Sequence, residues 1–119
     1  MAHILLADDD QATRDLVKRA LESDGHTVDL TQDGTEALET LVGAGNFDVL
    51  VSDVHMPGLD GIELARRAIQ SRPGLKLLLM SGFAEELERA ETLQSPNLGV
   101  IIKPFTLEQV RAAVRGLLV

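Results

Sequence analysis

The 119-residue chain contains no cysteine, and none of its apolar runs is more than a few residues long. The absence of cysteine excludes disulfide bridges and thiolate metal sites. A helix that crosses a bilayer needs about 20 consecutive apolar residues, so no such helix is expected here. No signal-peptide pattern precedes the first apolar run, because Met1 leads almost directly into it. We therefore expect a cytoplasmic protein.

The chain is also poor in cations, with 11 Lys and Arg against 19 Asp and Glu and a net charge of −8. Such a surface repels phosphate backbones, which argues against direct binding of nucleic acid. Hydrophobic residues make up 45% and charged residues 25% of the chain, as in a folded globular domain. Low-complexity tracts and long linkers are lacking, so one domain over residues 1–119 is predicted.

What the sequence does contain is a set of short apolar runs that each end in a polar group. A β-branched run that stops at a carboxylate and is followed by Pro and Gly is typical of a buried parallel strand reaching the edge of a sheet. The four runs are Ile4–Ala7 before Asp8, Asp9 and Asp10; Val49–Val51 before Ser52 and Asp53; Leu77–Met80 before Ser81; and Val100–Ile102 before Lys103.

Helical patterns alternate with these runs. They cover residues 11–24, 33–42, 60–71, 84–93 and 106–117, and a weaker strand pattern covers residues 26–31. Asp10 is a plausible cap of the first helix, and Thr106 and Gln109 have capping-box spacing. Alternating strands and helices predict parallel strands with right-handed crossovers. The expected fold is therefore α/β, a flavodoxin-like (βα)5 doubly wound five-stranded parallel sheet with strand order 2-1-3-4-5.

Such sheets bind ligands beyond the carboxyl ends of the strands, between the first and third strands. Asp8, Asp9 and Asp53 should converge there, and three neighbouring carboxylates require a cation to stay ionised. An all-oxygen ligand set favours Mg²⁺, with Mn²⁺ as a substitute. We expect Asp9 and Asp53 as direct ligands, Asp8 as a water-mediated one, and the His55 backbone carbonyl within reach.

Two further strand ends complete a phosphoryl site. Lys103 would bring an ammonium group, and Pro104 would fix the tight turn that presents it, with a cis peptide bond as one solution. Ser81 would bring a hydroxyl. Together with the cation these groups can neutralise the equatorial oxygens of a phosphoryl group while Asp53 attacks in line.

With these motifs the chain resembles the receiver domains of bacterial two-component response regulators over essentially its full length. The markers are Asp8-Asp9, Asp53 with Met56-Pro57-Gly58 and Asp60-Gly61, Ser81-Gly82, and Lys103-Pro104-Phe105. The resemblance implies that Asp53 is the phosphoacceptor and that the donor is a histidine kinase or histidine phosphotransfer protein. It implies an output face on the fourth helix, fifth strand and fifth helix. Because the chemistry consumes its own side chain, we expect a phosphorelay switch that takes part in its own phosphorylation and dephosphorylation rather than a turnover enzyme.

One position departs from the common pattern of these domains. Many receivers carry an aromatic residue three positions before the lysine, where this chain has Val100. Phe83, two residues after Ser81, is our alternative candidate for a gate at the site. By default, Phe47, Phe83 and Phe105 are expected in the core.

A narrower resemblance is to the CpdR-type single-domain regulators of alphaproteobacteria. It rests on the residues 4–10, 61–68, 81–84 and 103–105. It implies an adaptor for the ClpXP protease that is active when unphosphorylated. Residues 81–86 also resemble receivers at the ends of hybrid histidine kinases. The ends of the chain suit a stand-alone regulator and equally a receiver taken from a hybrid kinase or a larger regulator.

Other function classes fit the sequence less well. An aspartate-nucleophile phosphatase usually has a second Asp two residues after the nucleophile, where this chain has His55. A flavin-binding module would place a phosphate on the first loop, which here carries Asp8, Asp9 and Asp10 and would repel it. A degenerate receiver used only for docking would not need an intact acidic site.

Overall fold

The computed structural model describes residues 1–43 and 45–119 of the chain. Five strands alternate with five helices, as the sequence predicts. The strands are β1 (His3–Ala7), β2 (Thr27–Thr31), β3 (Val49–Asp53), β4 (Lys76–Ser81) and β5 (Leu98–Ile102). The helices are α1 (Gln11–Ser23), α2 (Gly34–Val42), α3 (Gly61–Ser71), α4 (Ala84–Glu91) and α5 (Leu107–Leu118). None of these helices is long and apolar enough to cross a membrane.

The strands form one parallel sheet in the order β2-β1-β3-β4-β5, which confirms the predicted topology. The winding reverses between β1 and β3, where Ala7 pairs with Ser52. The residues that follow these two strands therefore emerge side by side at the carboxyl edge of the sheet.

Both faces of the sheet are buried at its centre, which explains why β1, β3 and β4 carry continuous apolar runs. In β1, Ile4 and Leu6 face one side and Leu5 faces the other. The first side is covered by α1 and α5 through residues that include Val17, Leu21, Val110 and Val114. The second side is covered by α2, α3 and α4 through residues that include Ala37, Leu41, Leu64 and Ala90. The core thus consists of two apolar layers with the sheet between them.

Most helices begin at a side chain that accepts a backbone N–H. Asp10, Asp33 and Asp60 serve α1, α2 and α3 in this way. Thr106 and Gln109 form the predicted capping box of α5. Helix α4 differs, because its N-cap residue, Phe83, makes no side-chain capping bond.

Element boundaries differ from the sequence prediction by one or two residues, and the apolar side chains outside the core include one in α1 and one in α2. Leu16 and Val42 are exposed, at 45% and 58%. At 100° per residue, each lies at or beyond the edge of the stripe that its helix buries, around Val17 and Leu21 in α1 and around Ala37 and Leu41 in α2.

Candidate functional site

The structure brings Asp8, Asp9 and Asp53 together at the carboxyl edge of the sheet. One carboxylate oxygen from each lies within 4.8 Å of the others. Asp8 directly follows β1, and Asp53 is the last residue of β3. Asp8 and Asp53 are buried, whereas Asp9 is exposed. The cluster therefore sits at the mouth of the crevice that the reversed winding opens.

Asp8 is the most deeply buried of the three carboxylates. Its Oδ1 accepts a hydrogen bond of 3.0 Å from the Asp10 N–H, and its Oδ2 is buried with no hydrogen-bond partner among the described residues. Burial raises the pKa of Asp8 to about 6, and the negative charges of Asp53 and Asp9 act in the same direction. A buried acceptor of this kind costs free energy unless something satisfies it.

These carboxylates fit a hard divalent cation. The donor set is entirely oxygen, the three oxygens are closely spaced, and the buried Asp8 Oδ2 needs a partner. Mg²⁺ prefers such ligands and usually keeps several of its waters. Asp8 offers an oxygen within the same 4.8 Å as Asp9 and Asp53. His55 lies two residues beyond β3 with an exposed side chain, and a role for its backbone carbonyl stays a prediction.

Lys103 directly follows β5, and its side chain reaches across the end of β4 to Asp53. Its Nζ donates a hydrogen bond of 2.8 Å to Asp53 Oδ1, and its backbone N–H donates to the Ser81 carbonyl at 2.8 Å. Burial raises the pKa of Asp53, and the bond to Lys103 only partly offsets that effect. Burial alone would lower the pKa of Lys103, but its bond to Asp53 outweighs this and leaves the pKa raised. The Lys103–Pro104 peptide bond is cis.

Ser81 ends β4 beside this pair and is almost fully buried. Its Oγ lies 3.0 Å from Glu86 Oε1 and 3.1 Å from the Phe83 carbonyl oxygen, both hydrogen-bond acceptors. The sequence placed Ser81 at the site but missed Glu86. The available signal was its position, since Glu86 is the third residue of α4, from which a carboxylate can reach back to the preceding loop.

The two residues considered as gates occupy different surroundings. Phe83 is 60% exposed, so the expectation that it belongs to the core is wrong. Phe83 lies in the short connection between β4 and α4, and its ring packs on neither of the two apolar layers. Val100 is half-buried in β5 and lines a groove of about 340 Å³ with Leu87 and Leu98. A gating role for either residue stays a prediction.

Comparison with known proteins identifies the class. Residues 4–115 match the response regulator receiver domain family, and the chain belongs to that family. The chain is 39% identical over 115 residues to the response regulator MprA of Mycobacterium ulcerans and, over the same length, to that of Mycobacterium leprae. Each match covers 97% of this chain but only 49% and 50% of those proteins. The chain thus spans about half the length of these curated relatives.

Solved structures agree with this assignment. A response regulator receiver protein from Sinorhizobium medicae superposes with a TM-score of 0.88 at 32% identity, covering 98% of this chain and 93% of that one. The response regulator TrrA from Thermotoga maritima, solved with Mg²⁺ and BeF, has a TM-score of 0.88 at 26% identity, covering 98% and 99%. These similarities do not test the narrower resemblance to CpdR-type regulators, which stays a prediction.

Proposed function

We propose that Asp53 accepts a phosphoryl group from a phosphohistidine on a histidine kinase or histidine phosphotransfer protein. The observation that carries the proposal is the setting of Asp53. It is a buried carboxylate held by the Lys103 ammonium at 2.8 Å within a cluster of three carboxylates. No other carboxylate among the described residues has both an acidic cluster and a lysine contact of this kind.

In the transfer, a carboxylate oxygen of Asp53 attacks phosphorus, an O–P bond forms and the P–N bond of the phosphohistidine breaks. The departing imidazole takes up a proton and leaves as neutral histidine. Lys103 and the Ser81 hydroxyl supply positive charge and a hydrogen bond to the phosphoryl oxygens as charge develops on them. A bound Mg²⁺ would be held by Asp9, Asp53 and Asp8, and it would neutralise phosphoryl charge.

The product is an acylphosphate on the protein itself, so the chain acts as a switch and not as a turnover enzyme. We infer that the same groups take part in the hydrolysis that resets Asp53. Residues 1–119 would act as one receiver unit.

We also infer that the phosphorylated state is reported to a protein partner through the face formed by α4, β5 and α5. Ile102 at the end of β5 is 57% exposed, and a groove of about 380 Å³ nearby includes Phe105 and Gln109. An exposed apolar side chain beside a groove is typical of a protein contact. The CpdR-type resemblance suggests that this partner is a protease, for which the chain would act as an adaptor.

The direct test is incubation with acetyl phosphate and Mg²⁺ followed by intact-mass spectrometry. The wild type should gain one phosphoryl group, and EDTA should prevent the gain. Asp53→Asn should gain none, whereas the matched control Asp15→Asn, on the exposed face of α1, should behave as wild type. An unchanged wild-type mass, or labelling that persists in Asp53→Asn, would refute the proposal.

A further inference from the structure

One carboxylate outside the acidic cluster engages two hydrogen-bond donors at the edge of the site. Glu86 Oε1 lies 3.0 Å from Ser81 Oγ and accepts the Gly82 backbone N–H at 3.1 Å. Glu86 is half-buried in the first turn of α4, while Ser81 is almost fully buried at the end of β4. The side chain therefore ties the start of α4 to the loop that follows β4.

The Ser81 hydroxyl has a single proton to donate. Its two acceptors are the neutral Phe83 carbonyl at 3.1 Å and the Glu86 carboxylate at 3.0 Å. Hydrogen bonds to an ionised acceptor are about twice as strong as neutral ones, so Glu86 takes the proton of this hydroxyl. As long as that bond holds, the hydroxyl is not available to another anion.

Both donors lie next to the reacting carboxylate. Met80 pairs with Asp53 across β3 and β4, and Ser81 and Gly82 come next in the chain. A side chain at Gly82 would contact the Lys103 side chain, with 3.9 Å between its Cβ and Lys103 Cδ. The charge of Glu86 also raises the pKa values of Asp53 and Lys103, as expected of a carboxylate close to both.

We propose that Glu86 is a positioning residue that competes with the phosphoryl group on Asp53 for the Ser81 hydroxyl and the Gly82 amide. This inference rests on the proposed phosphorylation of Asp53. In the unphosphorylated chain the Glu86 carboxylate holds both donors. A phosphoryl group at Asp53 offers more negative oxygens to the same donors and repels Glu86, so the contact between α4 and the β4 loop is broken.

The consequence reaches the surface that α4 shares with β5. Helix α4 has no side-chain cap from Phe83, and the bond from the Gly82 N–H to Glu86 instead ties its first turn to the residue before this N-cap. Leu87 follows Glu86 directly and lines the groove with Leu98 and Val100. Release of Glu86 would therefore loosen the first turn of α4 and alter this groove, which links the state of Asp53 to a distant face.

A purely structural role is the competing explanation, in which Glu86 only caps α4. The two roles differ in their effect on a phosphoryl analogue. Loss of a cap lowers stability and leaves binding at Asp53 unchanged. Loss of a competitor strengthens binding at Asp53, and it does so through Ser81.

The experiment measures the affinity of the full chain for beryllofluoride in saturating Mg²⁺, with thermal melts to confirm folding. Glu86→Ala should bind beryllofluoride about tenfold more tightly. The ligand then no longer competes with the hydrogen bond of Ser81 to a charged group, and such a bond contributes about tenfold in affinity. Glu86→Gln keeps an acceptor oxygen without the charge and should fall between. Glu85→Ala, the matched control, removes an exposed carboxylate from the same turn and should change affinity less than about twofold.

The Ser81→Ala background tests whether Glu86 acts through Ser81. There the gain from Glu86→Ala should shrink to less than about threefold, since only the Gly82 amide remains to be released. Unchanged affinity in Glu86→Ala, an equal gain in both backgrounds, or an equal gain in Glu85→Ala would each overturn the inference. A wild type that binds no beryllofluoride would instead refute the proposed function, and the inference would fall with it.

Discussion

Lys103 Nζ and Asp53 Oδ1 lie 2.8 Å apart, which joins the carboxyl ends of β5 and β3 across the intervening strand β4. The Asp53 side chain is 7% exposed and that of Lys103 is 34% exposed. The ammonium group thus offsets part of the cost of burying this carboxylate. The same group is positioned to move onto a phosphoryl oxygen.

Replacing Lys103 should expose the cost of that buried carboxylate. We expect Lys103→Met to lower the free energy of unfolding by about 2 kcal/mol at pH 7 without Mg²⁺, because Asp53 loses its partner. Lys76→Met is the matched control. Its Nζ binds the neutral Asn97 Oδ1 at 2.9 Å, so its loss leaves no charge buried without a partner and should cost clearly less than the loss of Lys103. Urea titrations measure both, and equal losses would contradict the account.

Asp8→Asn should have opposite effects on stability and on metal binding. The amide keeps an acceptor for the Asp10 N–H and removes a buried negative charge that Asp53 and Asp9 repel, so the variant should be more stable by about 1 kcal/mol in EDTA. Mg²⁺ should raise the melting temperature of the wild type and have little effect on the variant. A variant less stable than wild type in EDTA would show that the buried Asp8 carboxylate does not destabilise the fold.

Gly61 should tolerate no side chain. A Cβ there would overlap the Asp53 carbonyl oxygen and lie 2.8 Å from Val54 Cα, and neither backbone atom can give way. Gly61→Ala should therefore destabilise the fold by about 2 kcal/mol or more and disturb the loop after Asp53. Gly116→Ala, in α5, meets no atom within 4 Å and should stabilise by up to about 1 kcal/mol. Chemical denaturation would show whether the two alanines differ in sign.

The cap of α3 predicts a pH dependence. Burial acts to raise the pKa of Asp60, but hydrogen bonds from the Glu63 N–H and from Arg89 outweigh it and hold the pKa below its usual value. A carboxyl group with a lowered folded-state pKa contributes its stability above the unfolded pKa of about 3.9, and that contribution is lost as the pH falls through the folded value.

Asp60→Ala should therefore cost about 1 kcal/mol at pH 7, and the cost should shrink as the pH falls toward 3. Thr106→Ala removes the cap of α5, which does not titrate, so its cost should stay constant over the same range. Unfolding free energies of the three proteins at several pH values provide the comparison. A cost of Asp60→Ala that rises in acid would be inconsistent with the lowered pKa.

The fold could be predicted from the alternation of strand and helix patterns. The main residues of the candidate site could be predicted because they follow or end the strands. Parallel strands bring their carboxyl ends to one edge, so Asp8, Asp53, Ser81 and Lys103 could be placed together without side-chain detail. Sequence order suffices for this, because crossovers make the strands parallel and their carboxyl ends then share one edge whatever their lateral order.

Glu86 and Gly61 could not be found in the same way. The position of Glu86 in α4 lets its carboxylate reach back over the β4 loop, but the sequence does not fix the side-chain conformation that does so. Gly61 is a marker of the receiver-domain resemblance, but only the structure shows its constraint, which is the close approach of α3 to the Asp53 backbone. Phe83 was assigned to the core by its residue type, but its exposed position is set by the loop that leads into α4.

The measurement that tests the central claim most directly locates the phosphoryl group. After incubation with acetyl phosphate and Mg²⁺, borohydride reduction converts an aspartyl phosphate into homoserine, which peptide mass spectrometry can place in the sequence. The account predicts homoserine at residue 53 and unmodified aspartate at Asp8, Asp9 and Asp48. Modification at another aspartate, or none in a chain that binds Mg²⁺, would contradict it.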